Sequence, residues 1–268
     1  MKRRAFLIAL LSCSALSPAH AVDERYRDYE PRPGLAGEVA VTGAPAPSSL
    51  MLLWPESFRM LQPQTVLHVG VETGGAKVKA AVEALAILVN DENPLTCISL
   101  DALKSLYTDE NPSWGGAGSG SAAAAPVTPL AREAKAGESD FFAEAVMGGA
   151  PFAAGVRRVA RYSDMLDEIA ATPGGIGYAP AGYRGDGVKA LQLSKAEGTC
   201  APPSASAAYR AEYPLSRFVY VEGDRNEAGL AFFDYVLSQE GQRDAVIAGF
   251  YSLPWTFAAE ERKKLGLD

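Results

Sequence analysis

The sequence predicts an α/β protein with a mostly parallel sheet, divided into two lobes, and three observations carry that reading. Strand-like and helix-like stretches alternate along almost the whole chain. Hydrophobic residues make up 48% and charged residues 21% of the 268 residues, enough to bury one or two cores and far from a disordered composition. The length also exceeds the roughly 150 residues of an ordinary domain.

The chain opens with Lys2, Arg3 and Arg4, an apolar run from Ala5 to Leu16, and Ala19-His20-Ala21, the pattern of a cleaved secretory signal peptide over residues 1–21. Its apolar run is too short to span a bilayer. A lipoprotein cleavage box at Leu10-Leu11-Ser12-Cys13 is the competing reading, but the apolar core before it is short. Subtracting the 21 leader residues from 268 leaves 247, and losing three bases takes the net charge from −7 to −10. Such acidity argues against nucleic acid as a partner. No later stretch is long and apolar enough for a membrane helix.

Residues 22–36 hold charges and prolines without periodicity and read as an extended lead-in. Glu38 to Val41 alternates like a strand, and Gly43 to Pro47 breaks it. Ser48 or Ser49 then caps a helix carrying Leu50, Leu53, Trp54 and Phe58 on one face. A second strand spans Thr65 to Val71 and ends in Thr73-Gly74-Gly75, and the continuous apolar run Ala84 to Val89 fits a strand buried on both faces. Ser99 caps a helix reaching Tyr107, and Trp114 to Pro126 reads as a flexible Gly, Ser and Ala loop. Then come a strand at Val127 to Ala131, a helix from about Ser139, another from Tyr162 to Ala170, and a turn and strand at Pro173 to Tyr178. Pro202 to Ala208 reads as a loop, Arg217 to Val221 as a strand, and Glu227 to Leu237 and Gln239 to Ala248 as closing amphipathic helices.

Residue counts exclude much chemistry. With Cys13 in the leader, Cys97 and Cys200 remain, and two thiols in an oxidising compartment point to one disulfide rather than a metal site. His68 is the one mature histidine and sits within strand alternation, so it reads as structural; zinc motifs and two-histidine sites are excluded. Asp140, Asp164, Asp167 and Glu168 fall on polar helix faces without convergent pairing, and no nucleophile and base are brought together by spacing, so no catalytic residue is assigned. The Gly174-Gly175-Ile176-Gly177 turn and the glycines from Gly182 to Gly187 lack the spacing of a dinucleotide or phosphate loop, and no cofactor follows from them. More informative are strand ends that become Gly- or hydroxyl-rich turns, at Gly43 to Ser49, Thr73 to Gly75 and Gly137 to Ser139, with Arg132 before the third. Helix starts after strands are where α/β proteins hold oxyanions.

Six ordered blocks carry a family resemblance: Leu50 to Trp54 with Phe58; Val82 to Asn90 with Asn93-Pro94; Thr172 to Tyr178; Val188 to Leu191; Tyr213-Pro214-Leu215-Ser216-Arg217; and Tyr235 to Gln242 with Leu253-Pro254. In these the chain resembles the periplasmic phosphate-binding proteins of ABC importers (PstS-like). The resemblance implies a type II periplasmic binding protein fold, two lobes joined by crossing strands and closing on a ligand by hinge motion. Lobe 1 would be residues 37–82 and 217–268, lobe 2 residues 83–216, with crossings at Val82 to Val89 and Tyr213 to Val221. It also implies a periplasmic, non-enzymatic protein whose partners are phosphate or a related oxyanion and the membrane subunits of an ABC transporter.

The ligand turns depart from the family pattern. Gly43 is followed by Ala44, Pro45 and Ala46 where hydroxyl residues are expected. The second turn offers Gly74-Gly75-Ala76 with only Thr73 as hydroxyl, and a ligand-bearing segment after it is missing, which truncates lobe 1. At the third turn Arg132 and Gly137 remain while Ala136 and Glu138 replace hydroxyl residues. The expected site is therefore a remnant made of Gly43, Ser48, Ser49, Thr73, Gly74, Gly75, Arg132, Gly137 and Ser139, with weakened or lost affinity. The alternative is a non-transport accessory or protein-interaction module on a degenerate scaffold.

Overall fold

The computed structural model describes residues 22–44, 49–117, 126–133, 137–195 and 198–268. The leader, Pro45 to Ser48, the centre of the Gly, Ser and Ala tract, and Ala136 lie outside the described residues.

A single strand organises the molecule. β3 (Ala76–Asn90) is fifteen residues long, and its apolar run is buried on both faces as predicted, with Ala84 to Val89 almost inaccessible to water. Its first half pairs antiparallel with β9 (Ser216–Gly223) and β10 (Tyr251–Ser252); its second half pairs antiparallel with β7 (Gly175–Pro180) and β8 (Val188–Ser194). β9 carries the sheet outward to β1 (Gly37–Ala44) and the edge strand β2 (Thr65–Val69), while β7 leads to β5 (Thr128–Arg132) and β6 (Arg157–Val159). β4 (Cys97–Ser99) pairs parallel with β8. The sheet is thus mixed, not mostly parallel: β1–β2, β4–β8, β5–β6 and β5–β7 are parallel, and all pairings of β3 and β9 are antiparallel. Alternation of elements cannot reveal this, because β3 runs through both halves instead of returning by a helical crossover.

Each half has its own aromatic centre. On the β1 side, α1 (Leu50–Leu61) buries Trp54 and Phe58 against α6 (Glu227–Val236) and α7 (Gln239–Ile247). The Phe58 ring lies 5.3 Å from Phe232, and Trp54 Nε1 donates to the Gly241 carbonyl at 2.7 Å. The lead-in belongs to this core despite having no regular element: Tyr29 meets Tyr235 edge-on at 5.5 Å, and the Tyr26 hydroxyl donates to Leu253 O. On the other side α2 (Leu100–Thr108), α3 (Gly137–Phe142) with a following π turn (Ala143–Met147), and α4 (Tyr162–Ala171) enclose Tyr107, Phe142 and Tyr178. Phe142 stacks on Tyr178 at 4.0 Å.

Several expectations need correction. Trp114 is buried in a short 3-10 turn (Trp114–Ala117), so the expected flexible loop does not begin there. Part of Pro202 to Ala208 is the short helix α5 (Ala205–Tyr209), capped by Ser204. The chain closes with α8 (Trp255–Leu265), beyond the last predicted helix. Gly43 does not break β1; it is paired with Val221 inside it. Cys97 and Cys200 form the expected disulfide, their Cα atoms 6.2 Å apart.

Candidate functional site

Arg132 is the last residue of β5, so it stands at the carboxyl end of a strand with parallel neighbours on both sides, the place where α/β sheets hold ligands. Its backbone is tied down: the amide donates to the Tyr178 hydroxyl at 3.3 Å, and its carbonyl accepts from Arg158 Nη1 at 3.0 Å. Its guanidinium lies 4.6 Å over the Tyr162 ring, and Nη1 reaches Val159 O at 3.5 Å. The buried Nε has no hydrogen-bond partner, and the guanidinium has no carboxylate partner, among the described residues.

The first turn of α4 completes this wall. Its N-cap, Arg161, is extended and makes no side-chain cap bond. Arg161 instead forks onto the Asp164 carboxylate at 2.8 to 3.1 Å, which holds the Asp164 pKa below the usual carboxylate value and raises that of Arg161. Tyr162 packs against Tyr183, ring centres 4.9 Å apart. Ser49 and Leu52, from the start of α1 in the other half, face this wall across a cleft of about 380 Å³ also lined by Ala160 and Ser163. The described lining holds two arginines and no carboxylate.

Of the nine residues expected at an anion site, this cleft brings together Ser49 and Arg132. Ser49 adopts helical angles at the N-cap and makes no side-chain cap bond. Ser139 lies in the layer beneath: its hydroxyl accepts from Tyr178 at 3.3 Å and approaches Glu133 O at 3.5 Å. Burial raises the Tyr178 pKa against the opposing pull of Ser139 and Arg132, so this relay is neutral and supports the Arg132 backbone. Gly137 opens α3, a six-residue helix. Gly43 is inside β1, and Ser48 lies outside the described residues. Thr73, Gly74 and Gly75 open no helix: β3 follows at once, and Thr73 Oγ1 accepts from the Gly75 amide at 2.9 Å, closing a local turn. A Cβ on Gly75 would lie 2.0 Å from Gly223 O, so its small size serves strand packing. His68 stands half-exposed on β2, 3.2 Å from Glu38. Arg161, Tyr162, Ser163 and Tyr183 were missed; the one signal available, an arginine directly before a predicted helix start, was masked by the acidic helix face after it.

A family model described as a PBP superfamily domain matches residues 70–240. The chain belongs to the PBP superfamily. Within it, the chain is 24% identical over 307 residues to phosphate-binding protein PstS of Pseudomonas aeruginosa, with 94% of each chain covered. Among solved structures it resembles a possible phosphate binding protein from Planctomyces limnophilus, with a TM-score of 0.73 at 17% identity, covering 87% of this chain and 98% of that one. It also resembles an ABC-type phosphate transport receptor from Vibrio cholerae, with a TM-score of 0.62 at 20% identity over 76% of this chain and 95% of that one. This PBP superfamily chain thus has the type II periplasmic binding protein fold. Among its described residues, no helix is long and apolar enough to cross a membrane, and no group of three His, Cys, Asp or Glu could hold a metal.

Proposed function

We propose that this protein is a periplasmic, non-enzymatic, PstS-like substrate-binding protein that takes phosphate or a related oxyanion into the cleft and presents it to an ABC importer. The carrying observation is Arg132, a guanidinium at a strand's carboxyl end, stacked on Tyr162, lacking any carboxylate partner among the described residues and facing Ser49 from the other half. The relatives' stated ligands support the same reading. In this reading residues 37–82 and 217–268 form lobe 1, residues 83–216 form lobe 2, and the cleft closes by hinge motion about β3 and β9. The cleaved leader and the Cys97–Cys200 disulfide suit an oxidising compartment.

The proposed affinity is weaker than a complete hydroxyl set would give. The first turn reads Ala44-Pro45-Ala46, and Ala136 and Glu138 stand where the third would carry hydroxyl residues. Each hydrogen bond to a charged group is worth about 1.5 to 3 kcal/mol, so two missing donors remove a large part of the roughly 8 kcal/mol behind micromolar binding. Lobe 1 is also short in this reading, because Lys77 to Val89 runs directly into the crossing strand without an intervening ligand-bearing segment. The Planctomyces limnophilus chain, 98% covered, is nearly all matched by this length.

Thermal unfolding with and without millimolar phosphate tests the proposal. The midpoint should rise for the native protein, because a ligand at 100 times its Kd stabilises the folded state by about 2.7 kcal/mol, and should not move for Arg132→Ala. No response to phosphate, sulfate or other oxyanions overturns it. The second reading, an accessory protein-interaction module, draws on the apolar side chains exposed along β2 and α1, including Val66, Val69 and Met60. It predicts no oxyanion response and capture of a periplasmic or membrane protein from cells.

A further inference from the structure

The cleft carries a feature that a bare inorganic oxyanion does not use. Leu52 projects from the first turn of α1 with 73% of its surface exposed, and it lines the same space as Arg132. On the opposite wall Tyr183 is half-buried beside Tyr162, its ring seated over Gly249, where an added Cβ would come within 2.9 Å of it. The cleft therefore pairs one cationic point with apolar and aromatic surface on both walls. Arg161 adds little further charge, since Asp164 neutralises it. The space, about 380 Å³, falls within the roughly 300 to 1,000 Å³ typical of organic-ligand sites. A five-atom anion displaces only two or three waters, about 30 Å³ each.

Resting on the oxyanion reading above, we propose that the preferred ligand is an organic phosphate or phosphonate: an oxyanion head held by Arg132, carrying an apolar or aromatic substituent that Leu52 and Tyr183 cover. A substituent leaving the head toward α1 would lose water on both faces, gaining affinity that inorganic phosphate cannot gain.

Isothermal titration with two probes, inorganic phosphate and phenyl phosphate, tests this on the native protein and on Arg132→Ala, Leu52→Ser and Tyr183→Ala. Phenyl phosphate should bind at least tenfold more tightly than inorganic phosphate. Leu52→Ser should erase that advantage while leaving inorganic phosphate within twofold, Tyr183→Ala should lose at least that advantage, and Arg132→Ala should abolish both. Leu52 is exposed, so its variant folds and stands as the control if Tyr183→Ala does not. Equal or weaker binding of phenyl phosphate, lost only in Arg132→Ala, overturns the organic preference and leaves the oxyanion reading standing. Binding of neither probe overturns both.

Discussion

Burial of the Tyr251 phenol makes part of the protein's stability depend on alkaline pH. Its hydroxyl donates to Pro203 O at 2.5 Å, and desolvation pushes its pKa up from 10.0 to about 12. The folded state thus favours the neutral phenol, so its stabilising contribution is full below pH 10 and is lost as pH rises through about 12. In urea denaturation, Tyr251→Phe should be about 1 kcal/mol less stable at pH 9 from the missing hydrogen bond, yet lose less stability than the native protein between pH 10 and 12. Parallel losses in both would show that Tyr251 does not titrate in this window. Single residues were unevenly legible in the sequence. Arg132, expected before the third turn, lines the cleft, whereas Thr73 and Ser139 lie outside its lining, their hydroxyls accepting in a local turn and in a buried relay.

At the scale of elements, β4 and α2 form a short unit held at its start. Ser99 ends β4 and caps α2, its hydroxyl accepting from the Ala102 amide at 3.2 Å. Ser99→Ala should lower stability by about 1 kcal/mol in chemical denaturation without altering the fold by circular dichroism. Two residues earlier Cys97 is bonded to Cys200, just past β8, where Ala201 exchanges backbone hydrogen bonds with Leu193. The bridge closes a separation of 103 residues, so Cys97→Ser with Cys200→Ser should cost about 2 to 4 kcal/mol, read as a fall in melting midpoint on the order of 2 to 4 °C per kcal/mol. An unchanged midpoint would mean that strand pairing alone holds this corner. α2 was readable in sequence because its cap residue and apolar periodicity are local signals, whereas the three-residue β4 was not. β6 and α5 were not: three and five residues are too few for a period to show, and packing decides them.

At the scale of the whole molecule, two places stitch the halves together. Gly182, past the end of β7, donates to Gly249 O at 2.9 Å, and the two backbones approach so closely that a Cβ on Gly182 would lie 2.6 Å from Gly249 Cα. The second place is the crossing itself, where Glu83 on β3 stands opposite Arg217 on β9. Glu83 is fully buried, and its Oε2 accepts from Arg217 Nε at 2.5 Å, while the guanidinium lies 4.0 Å over the Phe141 ring of α3. Neither pairing could be seen in sequence, since strand direction and register bring Glu83 and Arg217 together across 134 positions. A buried ion pair is costly to break and nearly neutral to replace, because the penalty falls on whichever charge is left behind. Glu83→Ala should therefore destabilise by about 3 to 5 kcal/mol, and Glu83→Met with Arg217→Met should recover much of that loss. A double-mutant cycle in urea measures the coupling directly. If the double variant is as unstable as the sum of the single ones, the pair contributes no coupling, and the crossing is held by the apolar packing of β3 alone.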